Sequence, residues 1–136
     1  MKGKVWKFGD SISTDHISPG RYFHLRTNLL ELTKHTLEDA REEYAANVKL
    51  GDIVVAGRNF GMGSSREHAA IMIKMSGASA VVAKSFARIF YRNAINVGLP
   101  AIICNTDKIA DEDQLSIDLK LGKLIDETKG FELNFT

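Results

Sequence analysis

The alternation of short apolar runs with helical periods predicts an α/β fold, built on a parallel sheet with crossover helices. Two observations carry this reading. Apolar runs at residues 52–56, 81–83 and 101–104 are separated by two stretches of helical pattern, one reaching Gly77 and one covering 86–96. Each helical stretch also stops at a glycine, Gly77 or Gly98, the residue that most easily takes the left-handed conformation closing a helix. Strand, helix, strand, helix, strand in that order makes parallel pairing with right-handed crossovers the economical topology.

The elements follow in order. Lys4–Phe8 reads as a first strand, and a polar loop runs from Gly9 to about Arg21. Leu29, Leu30, Leu32, Leu37, Ala40 and Tyr44 form an irregular helical stripe. The strand at 52–56 leads to a helix over 65–76, with Ser64 or Ser65 as the N-cap. Val81–Ala83 is a short buried strand, and a second helix covers Phe86–Asn96, with Phe86, Ile89, Phe90 and Ile95 as core residues. Cys104 closes the apolar run that begins at Pro100 and reads as a small core residue. Leu115, Ile117, Leu119 and Leu121 alternate with polar residues as a half-exposed strand does, and Phe131–Phe135 reads as a last strand. Without repeats, low-complexity tracts or a linker, residues 1–136 are expected to form one domain.

Composition narrows the function classes. With 18 basic and 17 acidic residues the chain has no net field for nucleic acid or an anionic membrane, so neither is an expected partner. One cysteine excludes an intramolecular disulfide, and the opening Met1–Trp6 lacks the apolar core of a signal peptide, so a cytoplasmic protein is expected.

The most informative stretch is Gly57–Ala70, which places a glycine loop, two serines and an arginine where a strand gives way to a helix. Glycines allow close backbone approach, and the first N–H groups of a helix point outward with partial positive charge, so the junction suits an anion. An arginine fork beside it would grip a carboxylate or phosphate. A phosphate loop of the Walker type is excluded, because Gly63-Ser64-Ser65 lacks its lysine. A dinucleotide fingerprint is disfavoured too. Arg66 stands where its third glycine belongs, and the strand about 20 residues on ends in Lys84 without an acidic residue.

Three separated segments carry a family resemblance. Gly63–Ala70, Lys84–Phe90 and Thr14–Ser18 together resemble the swivel domain of the aconitase superfamily, in its form as a stand-alone small subunit of the 3-isopropylmalate dehydratase and homoaconitase type. The resemblance spans roughly residues 1–125 and implies an aconitase-like swivelling β/β/α three-layer domain, with an antiparallel layer added to the parallel sheet. It also implies a hydro-lyase that isomerises a hydroxy acid through an unsaturated intermediate, here isopropylmalate on the way to leucine. Homoaconitase or aconitase chemistry on a tricarboxylate is an alternative, and a non-catalytic anion-binding module on the same fold is another. Such enzymes use a 4Fe-4S cluster held by several thiolates. One cysteine cannot hold it, so this chain is expected to bind no cofactor or metal itself and to work in a heterodimer or heterotetramer with a cluster-bearing large subunit.

Residue roles follow from the resemblance alone. Ser64 becomes the base that takes a proton beside a carboxylate, and Ser65 and Arg66 bind substrate. Asp15 and Ser18 face the substrate, supported by Thr14, His16, Gly61, Gly63 and His68. From the residues alone, Asp10, Ser13, Thr14 and Asp15 are equally readable as turn formers bonding the local backbone. Ser18 stands where dehydratase small subunits often carry an aliphatic residue and is closer to the aconitase pattern. Arg26 and Thr27 fall in the stretch that distinguishes one hydroxy acid from another, and Arg26 could bind an extra carboxylate. Arg88 and Arg92 share a helix face that could dock the large subunit. Family members usually continue past a strand like Phe131–Phe135 into a final helix, which this sequence lacks.

Overall fold

In the computed structural model, which describes residues 1–63 and 68–135, strand β1 (Lys2–Lys7) forms the centre of a mixed sheet. Its first half pairs antiparallel with β5 (Gln114–Asp118), setting Gly3 opposite Leu115. Its second half pairs parallel with β2 (Ile53–Val55), setting Trp6 opposite Val54. From β2 the parallel side continues to β3 (Ala80–Ala83) and β4 (Ala101–Ile103). From β5 the antiparallel side continues to β6 (Lys123–Asp126) and β7 (Phe131–Asn134). Among the described residues the order is therefore β4-β3-β2-β1-β5-β6-β7.

Helix α4 (His68–Ser76) connects β2 to β3, and α5 (Arg88–Asn96) connects β3 to β4. Both crossovers step the same way along the sheet, and crossovers of one hand that do so place their helices on one face. The period-two side chains of the strands confirm it. Trp6, Val54 and Val81 join Ala69, Ala70 and Ile73 of α4 and Phe90 and Ala94 of α5 in one core. The alternate positions Val5, Ile53, Val55 and Val82 join Leu115, Ile117 and Leu124 in another. Helices, parallel sheet and antiparallel strands are thus three layers, as the sequence reading expects.

The segment between β1 and β2 departs from that reading. Instead of one irregular helix it contains α1 (Thr14–Ile17), a 3-10 segment at Gly20–Leu25, and two short helices, α2 (Leu29–Thr33) and α3 (Tyr44–Asn47). Leu37 takes φ 57° and ends any continuous helix there, while its side chain is fully buried beside Tyr44. Tyr44 packs edge-on against Trp6 at 5.2 Å and shares a hydrogen bond with Ser76 Oγ at 2.8 Å, which ties α3 to α4. Trp6 Nε1 donates to buried Asp52 at 2.8 Å, so the polar end of the indole is satisfied. Other differences are local. Leu119 and Leu121 lie beyond β5 and are exposed, as are Ile89 and Ile95 on α5, whose buried face consists of Phe90 and Ala94.

A buried acid pair sits where the antiparallel layer turns. Asp113 accepts from Ala110 N–H and from the Lys129 ammonium, and Asp126 accepts from Lys129 N–H through Oδ1. Asp126 Oδ2 accepts no hydrogen bond among the described residues, the Lys129 ammonium lying 4.0 Å away, and the Asp113 carboxyl is its neighbour. Burial first, and then the hydrogen bond shared with Asp113, push the Asp126 carboxyl above its ordinary value. Burial opposes ionisation of Asp113 too, but the hydrogen bonds from Asp126, Lys129 and Ala110 outweigh it and hold the group down to about 2. A raised folded pKa means that Asp126 contributes its full stability below the unfolded carboxylate value of about 3.9 and loses it as pH rises through the folded value. Asparagine mimics the protonated acid at every pH. Asp126→Asn is therefore expected to raise neutral-pH stability by roughly 1 kcal/mol, about one net hydrogen bond. The gain over wild type should fade as pH drops below about 4, which thermal melts at pH 7 and pH 3.5 will check. Equal shifts at both values would show that the pair shares no proton.

Candidate active site

Because β1, β2 and β3 are parallel neighbours, the loops leaving their carboxyl ends emerge side by side. They begin at Phe8, Ala56 and Lys84. Ligands of open α/β sheets bind at this edge. Here the loops extend the sheet's pairing beyond the strands. Gly57 N–H donates to Gly9 O, Ser11 N–H to Arg58 O, Gly61 N–H to Ile12 O and Thr14 N–H to Met62 O, all between 2.7 and 3.1 Å. On the other side Lys84 N–H donates to Gly57 O, Phe60 N–H to Ser85 O and Ala87 N–H to Phe60 O, between 2.9 and 3.0 Å. Residues 57–62 are thus the middle member of a three-loop platform.

The platform rests on aromatic rings. Phe60 is fully buried and meets Phe90 edge-on at 5.2 Å and Phe86 at 6.0 Å. Above them Gly61 takes φ 84°, and a Cβ there would lie 2.3 Å from Phe90 Cβ and Cγ. Gly63 takes φ 101°, and a Cβ there would lie 3.5 Å from Thr14 Oγ1. The two glycines are required by backbone sign, and the first also by contact with α5.

The structure brings together the turn Thr14–Ser18 and the glycine loop at Gly63. Thr14 is buried, and Ser13 forms a bridge with Met62. His16 belongs to a capping box: its Nδ1 accepts from Ser13 N–H at 2.9 Å, and Ser13 Oγ accepts from His16 N–H at 3.1 Å. The acceptor role of Nδ1 leaves the ring proton on Nε2. Asp15 is exposed and accepts from Gly20 N–H at 3.0 Å, a turn-forming role. Ser18 is buried and caps α1 through its own N–H to Thr14 O. His68 is the first described residue of α4 and is half-buried. Ser64, Ser65 and Arg66 lie outside the described residues.

Arg26 and Thr27 are exposed just after the 3-10 segment. The Arg26 guanidinium lies 4.5 Å over the Phe23 ring and donates to Phe23 O at 3.3 Å. The segment is fastened at its start, where Arg21 donates to Asp39 at 2.8 Å, Tyr22 OH donates to Glu38 at 3.0 Å, and the Tyr22 ring stacks on His35 at 3.7 Å. Hydrogen bonds from Arg21 chief among them hold Asp39 below the usual carboxylate range. Arg88 and Arg92 are both exposed on one face of α5.

Beside the platform an open cleft of about 430 Å³ is lined by Arg58, Lys84, Ile103, Cys104, Asn105 and Asp107. Lys84 pairs with Asp107 and, with smaller contributions from Lys7 and Arg58, holds that carboxyl below its ordinary value. Three cations thus act on Asp107 at this edge. Burial pushes the Cys104 thiol up to about 11, so it stays protonated near neutrality. Among the described residues no group of three or more His, Cys, Asp or Glu side chains could hold a metal ion. No helix there is long and apolar enough to cross a membrane.

Two side chains of the platform stand outside the site residues that the sequence singles out, Asp10, read there as a turn former, and Ser85. Asp10 Oδ1 accepts from Arg58 N–H at 2.7 Å, and Ser85 Oγ accepts from Asn59 N–H at 2.9 Å. Asp10 carried a signal, its residue type, but that type predicts bonding to the local backbone rather than to a segment 48 residues away.

Comparison with known proteins agrees with this architecture. The family described as the aconitase C-terminal domain matches residues 12–106. A Thermotoga maritima protein named 3-isopropylmalate dehydratase small subunit 1 is 65% identical, covering 100% of this chain and 82% of its own length. The methanogen homoaconitase small subunit of Methanothermobacter thermautotrophicus is 55% identical, over 97% of this chain and 76% of that protein. The crystal structure of 3-isopropylmalate dehydratase from Methanocaldococcus jannaschii superimposes with TM-score 0.94 at 51% identity, covering 99% of this chain and 80% of that one.

The glycine at 61 offers a test of the platform. Gly61→Ala should destabilise the chain by about 3 kcal/mol, combining the left-handed cost for a non-glycine residue with overpacking against Phe90. Urea unfolding measures it. A loss below about 0.5 kcal/mol, the usual range for an unconstrained surface position, would show that Gly61 is not held against α5.

Proposed function

The chain belongs to the aconitase C-terminal domain family, and on that premise we propose that it is the small subunit of a two-subunit hydro-lyase, 3-isopropylmalate dehydratase. The observation that carries the proposal is the convergence of Thr14, Gly61 and Gly63 at the point where the chain enters Ser64. The 65% identity to a small subunit of that name favours isopropylmalate, hence leucine biosynthesis in the cytoplasm.

In this reading the chain supplies half of a shared site. Ser64 takes the proton from the carbon beside a substrate carboxylate, and Ser65 and Arg66 hold that carboxylate. A serine hydroxyl is a poor base in water, so its alkoxide needs N–H donors and the Arg66 charge in a site closed to solvent. Asp15 and Ser18 approach the substrate from the neighbouring turn, with Thr14, His16, Gly61, Gly63 and His68 supporting the geometry. The cations Lys7, Arg58 and Lys84 give this edge the sign that attracts a dicarboxylate.

A 4Fe-4S cluster does not fit the described part of this chain. Its one thiol, Cys104, is held protonated by burial, and cluster ligands are thiolates. Departure of the hydroxide is therefore assigned to a large subunit, which in this family reading bears the cluster and completes a heterodimer or heterotetramer. A second reading, tricarboxylate chemistry of the homoaconitase type, is favoured by Arg26, an exposed cation in the specificity stretch, and by Ser18.

Two measurements test these roles, both with a large subunit present. Ser64→Ala should lower kcat by about two to four orders of magnitude while KM changes little, since it removes the base and leaves Arg66. Activity within about tenfold of wild type would return Ser64 to a helix-capping role, worth only about 1 kcal/mol of stability. For substrate choice, Arg26→Val should lower kcat/KM for a homoaconitate-type tricarboxylate by about tenfold or more and leave isopropylmalate turnover unchanged or faster. An unchanged ratio would remove Arg26 from the specificity determinants.

A further inference from the structure

Residues 57–62 receive backbone partners on both sides, but two consecutive N–H groups in their middle, those of Arg58 and Asn59, are met by side chains. Asp10 reaches the first from the β1 loop, and Ser85 reaches the second from the β3 loop. The chain turns sharply at this point. Asn59 takes φ 56°, and the two N–H groups are met from opposite flanks, Arg58 from the β1 loop and Asn59 from the β3 loop. Asp10 supplies a charged acceptor, which makes the stronger of the two bonds. Gly57 records how close that carboxylate sits: a Cβ there would lie 1.8 Å from Asp10 Oδ1 and 2.9 Å from Asp10 Cγ. The φ of Gly57 is not in the left-handed region, so the carboxylate, not the backbone, requires glycine at this position.

We propose that Asp10 and Ser85 are positioning residues that clamp the glycine loop from its two flanks, fixing the course of residues 57–62, which precede Ser64 in the chain. The clamp touches no substrate. Its effect on turnover rests on the function proposed above, in which the reacting groups follow the clamped loop six to eight residues after Arg58. A shift of about 1 Å in such groups costs up to about a hundredfold in rate.

The test is a double-mutant cycle on Asp10 and Gly57 in the chain assembled with its large subunit, together with Asp10→Asn and Ser85→Ala. Asp10→Ala should lower kcat about tenfold or more with KM changed less than about threefold. Asparagine keeps the Oδ1 acceptor and should restore most of the loss. Gly57→Ala should be severe alone and mild in the Asp10→Ala background, because the second change removes the atom that the new Cβ would strike. In the chain itself, Asp10→Ala should speed Arg58 amide exchange, and Ser85→Ala that of Asn59, each by about tenfold, while Ile53–Val55 of β2 keep their protection. Additive effects of Asp10 and Gly57 on stability, or unchanged exchange at Arg58, would overturn the clamp. If wild type itself shows no dehydratase turnover, the function reading fails instead, and the exchange rates and the stability cycle still decide the clamp.

Discussion

Strand β1 gives one half of its length to each half of the molecule, and everything else is arranged around that division. Residues 2–4 are in register with β5 and residues 5–7 with β2, while Val5 still exchanges hydrogen bonds with Glu112 and Asp113 just before β5, so the strand passes between its two partners within six residues. Gly3 makes this possible. A Cβ there would lie 1.9 Å from Gly51 O, because the chain entering β2 passes directly against β1 at the changeover. A side chain at that position would push β2 away and separate the two cores. The changeover also fixes the layers, since strands that begin on opposite edges of β1 can lie over the same face of the parallel sheet while the helices take the other.

The parallel half then determines where chemistry can occur. Crossovers that step in one direction leave the carboxyl edge uncovered, and three exit loops meet there in chain order. Loops left to themselves would be mobile, but these bond to one another as the strands do and are seated on Phe60, Phe86 and Phe90. A rigid platform assembled from segments far apart in sequence is what a site with several cooperating residues needs.

Much of this was legible in the residues. The alternation of strands and helices held, and Gly77 and Gly98, at φ 117° and 77°, end α4 and α5 as their residue type suggested. The stripe from Leu29 to Tyr44 misled because hydrophobic spacing reports which residues are buried, not whether one helix buries them. Leu32, Leu37 and Tyr44 are all interior, yet Leu37 is reached through a left-handed turn. Ile89 and Ile95 failed for a related reason: an apolar residue on a helix of mixed pattern can face either way, and the two arginines beside them were the better guide to the exposed side. Asp10, Ser13 and Asp15 divide the polar loop between its two readings. Ser13 and Asp15 bond the nearby backbone as turn formers do, while Asp10 crosses to another strand's exit, a long-range pairing that sequence spacing cannot encode.

Charge follows the same logic of placement over composition. With 18 basic and 17 acidic residues the chain is nearly neutral, and at a distance it offers an anion no field. Several cations away from the site are paired where they stand, Arg21 with Asp39, Arg41 with Asp111 and Lys129 with Asp113. At the carboxyl edge the balance leans positive, because Lys7, Arg58 and Lys84 act on Asp107 while the platform carboxylate Asp10 is held on the Arg58 N–H. Salt screens fields beyond roughly 8 Å, so an imbalance confined to this edge acts on a small anion already at the platform and not on a polyanion passing by. Lys7 shows that the crowding has a cost: burial first, and then repulsion from Lys129 and Lys84, lower its pKa although Thr106 O and Ile109 O both accept from its ammonium. A dicarboxylate brought into such a cluster would relieve that repulsion, which is why the proposed function places the substrate's charge at this edge and not elsewhere on a nearly neutral chain.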